Sequence, residues 1–153
     1  MTPLTLAFTK GAGRSDLLTV LRASGESETI DCPKQRIIPH DMVHYAVEST
    51  LAARGFLGRI SAGEAATFTM APAAESDGVE RLVEVIQGDA WSGGDTPAGE
   101  MIDLYRVTCD ARACPPLAIE AGAIEAIRQR LAELSLAWDA VPVGGTLTLR
   151  FEP

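Results

Sequence analysis

The chain is short of the features that announce many functions. Three cysteines among 153 residues, Cys32, Cys109 and Cys114, are an odd number with no C-x-x-C pair. Neither a disulfide framework nor a zinc knuckle is indicated, and reduced, mostly buried thiols are expected. Positive charge is also scarce. Thirteen Lys and Arg stand against twenty-one Asp and Glu, a net charge of -8, which repels a phosphate backbone and excludes general nucleic-acid binding. No run approaches the roughly eighteen apolar residues that cross a membrane. The first twenty residues lack the basic start and unbroken apolar stretch of a signal peptide, being interrupted by Lys10, Arg14 and Asp16, so a cytoplasmic location is expected. Histidine is rarest of all: His40 and His44 are the only two.

What is present is the composition of one folded domain: 46% apolar and 22% charged residues, with no sign of disorder or repeats. The excess acid is unevenly placed. Residues 1–62 carry seven basic and six acidic groups, and residues 63–153 carry six basic and fifteen acidic ones. The later part therefore favours a cation or a basic partner over an anion, although solvated helix faces would produce the same imbalance.

Period-two alternation over Leu4, Leu6 and Phe8, then Leu17 to Arg22, then Glu28 to Cys32 predicts three strands. Turns are expected at Gly11–Ser15 and Ala23–Glu26, and Lys34 to Ile38 reads as a continuation of the third strand. Leu147, Leu149 and Phe151 give a fourth strand at the C-terminus. Helical periodicity fills the middle. A first helix is expected over residues 40 to 54, opened by Pro39 and closed by Gly55 in a left-handed conformation. A second carries Val79, Leu82, Val83 and Ile86, with Asp77 and Glu80 at capping-box spacing. Thr96-Pro97 opens a third helix through Cys109, ended by Pro115-Pro116, and a fourth carries Leu117, Ile124, Ile127, Leu131 and Leu134. Strands at the ends and helices between them predict a segregated α+β domain, a small antiparallel sheet with about four helices on one face. The surplus of amphipathic helices requires one to pack on other helices or on a second copy, so a homodimer is expected.

The chemistry concentrates in Pro39-His40-Asp41-Met42-Val43-His44-Tyr45-Ala46-Val47-Glu48. At about 100° per residue, His40, His44, Glu48 and Asp41 share roughly one quarter of the helix surface, opposite Met42, Val43, Ala46 and Val47. Two imidazoles at i and i+4 are spaced to grip one divalent metal such as zinc, in partial similarity to the H-E-x-x-H helix of zinc peptidases, so this face is expected to form a divalent-metal or small-ligand site. The expected ligands are drawn from His40, His44 and Glu48: His44 with Glu48, or His40 and His44 with a remote carboxylate, since His40 and Glu48 lie about 12 Å apart along the axis. If the site is hydrolytic, Asp41 or Glu48 would be the general base and water the nucleophile. Glu48 could instead orient His44 from behind. The competing reading is a non-enzymatic structural or interaction module in which these residues form first-turn and i, i+4 polar contacts. Cys109 and Cys114, five residues apart, would not share a helical face.

The segments Thr19–Gly25, Pro39–Glu48 and Gly55–Gly63, with the final Gly145–Phe151 strand, resemble a group of small uncharacterised bacterial proteins. The resemblance implies a bacterial cytosolic protein and brings no activity with it.

Overall fold

A computed structural model describes residues 2–67 and 69–153. Three antiparallel strands open the chain: β1 (Leu4–Thr9), β2 (Ser15–Arg22) and β3 (Ser27–Pro33). Five helices follow among the described residues, α1 (His40–Leu51), α2 (Phe56–Ser61), α3 (Ala74–Trp91), α4 (Ala98–Ala111) and α5 (Ala121–Asp139), and β4 (Thr146–Phe151) closes the chain. The expected α+β architecture is present. The sheet runs β3-β2-β1-β4, so the C-terminal strand is an edge strand paired with the interior strand β1, and Leu6 lies opposite both Val20 and Leu149.

Alternation puts Leu4, Leu6, Phe8, Leu18, Val20 and Phe151 on the buried face, while Leu17 and Leu21 stay exposed on the other. The helices cover the buried face. Trp138 of α5 meets Phe8 edge-on at 6.5 Å, and Tyr45 of α1 meets Phe151 at 6.5 Å while its hydroxyl donates to the Arg150 carbonyl. Beyond this layer, α1 packs on α2, α3 and α5, and α4 packs on α3 and α5. The helical surplus is thus absorbed by helix-on-helix packing within the chain. No helix among the described residues is long and apolar enough to cross a membrane.

Several boundaries differ from the sequence reading. The continuation of β3 over Lys34–Ile38 is not strand; Arg36 takes a positive φ of 71°, which an extended strand cannot contain. Helix α1 stops at Leu51 because Ala52, not Gly55, adopts the left-handed conformation, φ 52°. Gly55 has φ -103° and stands at the start of the extra helix α2. A Cβ there would lie 2.5 Å from Val79 Cγ1 and 2.8 Å from the Glu48 carboxylate. Its glycine is required by close approach rather than by backbone conformation. Helix α3 begins at Ala74, so Asp77 and Glu80 are interior residues and form no capping box. Helix α5 begins at Ala121, leaving Leu117 outside it, where its N–H donates to the Tyr105 hydroxyl.

Candidate metal centre

Helix α1 begins at the residue after Pro39, so His40 lies in its first turn and His44 one turn on. Their rings are 4.8 Å apart between centroids and inclined at 76°. Between them, from the neighbouring helix α3, comes Glu80. His40 Nε2 lies 3.2 Å from Glu80 Oε1, and His44 Nε2 lies 2.8 Å from Glu80 Oε2. One ligand atom from each of His40, His44 and Glu80 falls within 4.8 Å of the others.

The opposite nitrogens are held just as specifically. His44 Nδ1–H donates to Glu48 Oε2 at 2.9 Å, and His40 Nδ1–H donates to Gln87 Oε1 at 2.9 Å. Gln87 Oε1 also accepts from Gln35 Nε2, which donates in addition to the Ile38 carbonyl. Two donors on one oxygen fix the Gln87 amide with that oxygen toward His40. Both Nε2 atoms thereby face the Glu80 carboxylate, each at its own oxygen, with Nδ1 protonated and anchored from behind, the arrangement usual for metal-ligating histidines. Phe56 packs against the His44 ring at 5.9 Å and closes one side.

Glu48 is 1% exposed and lies on the Nδ1 side of the His44 ring, opposite the Nε2 that meets Glu80. Its Oε1 accepts the N–H groups of Gly55 and Gly58, and its Oε2 accepts those of Leu57 and His44. Four N–H donors use the four lone-pair directions of a carboxylate. Glu48 therefore serves the first turn of α2, whose backbone donors have no helical acceptors, and orients His44. The structure does not bring it to the ligand group as a third ligand or a base. Asp41 lies on the other side of His40, at β3, where its Oδ2 accepts the Cys32 thiol at 3.7 Å. Burial holds the Asp41 carboxyl above its ordinary value against the pull of the two imidazoles. The same burial, reinforced by the Asp41 charge, pushes the Cys32 thiol up to about 12.

The third member of the group, Glu80, is the residue whose spacing from Asp77 suggests a capping box. At about 100° per residue from Val79, Glu80 falls near 100° and Gln87 near 80°, on one flank of the apolar stripe and two turns apart. That shared flank is the signal in the sequence. It becomes meaningful only once α3 is known to lie beside α1.

Without an ion, the group is a charge-balanced network. Burial alone would lower the His44 pKa, but the Glu48 and Glu80 carboxylates outweigh it and raise it to about 10. Burial likewise opposes charge on His40, and its hydrogen bond to Glu80 again prevails, so its pKa is raised. Glu80 resists burial through the two imidazoles and is held far below the usual carboxylate range. A divalent cation replacing the two Nε2 protons would leave the net charge unchanged. Bonding distances near 2 Å require donor atoms about 3.3 Å apart, whereas the three atoms lie within 4.8 Å of one another, so holding an ion requires them to rearrange, and His40 and Glu80 have side chains 38% and 34% exposed. A cleft of about 360 Å³, lined by Phe56, Arg59, Met70, Asp77 and Glu80, opens at this edge. No protein-family model, curated protein or solved structure matches the chain.

Proposed function

We propose that His40, His44 and Glu80 form a divalent-metal site, zinc being the first ion to test, at the junction of α1 and α3. The observation that carries this reading is the convergence of two Nε2 atoms and one carboxylate, each imidazole being anchored through Nδ1 by its own acceptor. Three protein ligands would leave a coordination position for water or substrate, as in hydrolytic zinc sites, and a cleft adjoins the group at Glu80. In that chemistry a metal-bound water would be the nucleophile. Glu48 would act as a positioning residue for His44, and Asp41, bonded to Cys32, is not arranged as a base.

The test is elemental analysis of protein purified without chelator or affinity tag, followed by thermal unfolding with zinc, manganese and nickel. An ion that binds only the folded chain raises the melting temperature. The rise should vanish in Glu80→Ala while the variant stays folded. No bound metal and an unchanged melting temperature with all three ions would end the proposal.

A second reading has its own support. Among the described residues no buried side-chain nitrogen or oxygen lacks a partner, and the two imidazoles already satisfy both carboxylates. The same network can therefore serve as a structural ion cluster joining α1, α2 and α3. A metal-independent loss of stability in His44→Ala, with no ion response in the parent, selects this reading.

A further inference from the structure

Helix α4 ends in a Schellman motif. The Cys114 N–H donates to the Cys109 carbonyl at 3.0 Å, and the Ala113 N–H donates to the Asp110 carbonyl at 3.1 Å. Ala113 between them takes the left-handed φ of 53°. This closure brings the side chains three residues before and two residues after the cap into contact. Here those two side chains are Cys109 and Cys114. The expectation that they diverge assumed a continuing helix, in which a separation of five residues turns by about 140°; the reversal at Ala113 cancels that rotation. The closing Cys114 to Cys109 hydrogen bond holds the two backbones together, the two thiols are themselves hydrogen-bonded to each other, and a disulfide bridges Cα separations of about 4.4–6.8 Å.

The two thiols have different access. Cys109 is fully buried, and Cys114 is half-buried. Burial first, and the neighbouring Cys114 thiol in addition, hold Cys109 above its ordinary pKa against the opposing influence of Tyr105 and Arg81. Cys114 is accordingly the thiol an oxidant meets, and Cys109 the one behind it. The remaining thiol, Cys32, is buried at β3 against Asp41.

We propose that Cys109 and Cys114 are a reversible redox modification site, forming an intramolecular disulfide at the C-terminus of α4 on exposure to a low-molecular-weight disulfide. The Cys114 thiolate attacks one sulfur of the oxidant, forming a mixed disulfide and releasing one thiol. The Cys109 thiol then gives up its proton and attacks Cys114 Sγ, closing the internal bond and expelling the second thiol. Two cysteine thiols are oxidised by two electrons, and one oxidant disulfide is reduced to two thiols. The site is independent of the metal proposal.

Oxidation of the full chain with glutathione disulfide, followed by alkylation and mass spectrometry, tests it. The expected product has lost two hydrogens and retains one alkylatable cysteine, Cys32, of the three. Trypsin cuts inside the ring at Arg112, so peptides 107–112 and 113–128 should remain joined until reduction. Cys109→Ser should stop at a glutathione adduct on Cys114, and Cys32→Ser should oxidise as the parent does. Three alkylatable thiols in the parent after oxidation, or a glutathione adduct persisting on parental Cys114, would overturn the proposal.

Discussion

Glu48 illustrates how one residue's role depends on what surrounds its atoms. From its spacing it is a ligand candidate; from its partners it is the acceptor for the N–H groups of Gly55, which caps α2, of Leu57 and Gly58 in its first turn, and for His44. Removing it leaves those donors unsatisfied and deprives the buried His44 imidazolium of one of its two carboxylate partners. Glu48→Ala should therefore destabilise the chain by about 3–5 kcal/mol in denaturant unfolding; a loss below 1 kcal/mol would show that the carboxylate does not hold α2. His44 carries a pH signature. Its folded value, raised from 6.5 to about 10, means that its contribution is fully present below about pH 6.5 and is lost as pH rises towards 10. The stability gap between the parent and His44→Gln should narrow over that window. Metal affinity should move in the opposite sense, rising with pH as the ion no longer competes with the Nε2 protons. A titration calorimetry series at several pH values checks the second trend, and unfolding curves without metal check the first.

At the level of elements, α2 is the piece that periodicity in the sequence did not disclose. Six residues are too few to show a helical period, and the helix stands only because Glu48 accepts its first N–H groups. Gly55 permits that contact by bringing the backbone against the Glu48 carboxylate and Val79. Because its φ is negative, an alanine there meets no backbone strain and the cost is steric. Gly55→Ala should lose about 1–3 kcal/mol of stability and weaken any metal response through His44. A neutral effect on thermal unfolding would contradict the close approach. The long helices, in contrast, follow their apolar stripes. Val79, Leu82, Val83 and Ile86 are all buried, as are Ile124, Ile127 and Leu134, because a 3.6-residue repeat of apolar groups has one way to leave water. The helix ends were less legible. Ala52 and Ala113 adopt the left-handed turns that glycine usually marks, so neither end carries the expected residue.

Across the molecule, the candidate site draws on both compositional halves. The nearly neutral first part supplies His40, His44 and Glu48, and the acidic later part supplies Glu80 and Gln87. A bound ion would cross-link α1 to α3. Metal at 100 times its dissociation constant should add about 2.7 kcal/mol of stability, and amide exchange should slow in both helices together. Slowing confined to α1 would remove Glu80 from the ligand set.

The sequence by itself determined the α+β order, the buried faces of strands and helices, and the placing of two imidazoles on one helical face. These are local consequences of periods of 2 and 3.6 and of a single rare residue type. The tertiary structure alone decided which carboxylate joins the imidazoles, because Glu80 lies 36 residues beyond His44 and reaches it only through the packing of α3 on α1. It likewise turned Glu48 inward to α2 and folded Cys114 back upon Cys109. Each of these depends on where one element ends and another approaches, and neither composition nor spacing encodes that.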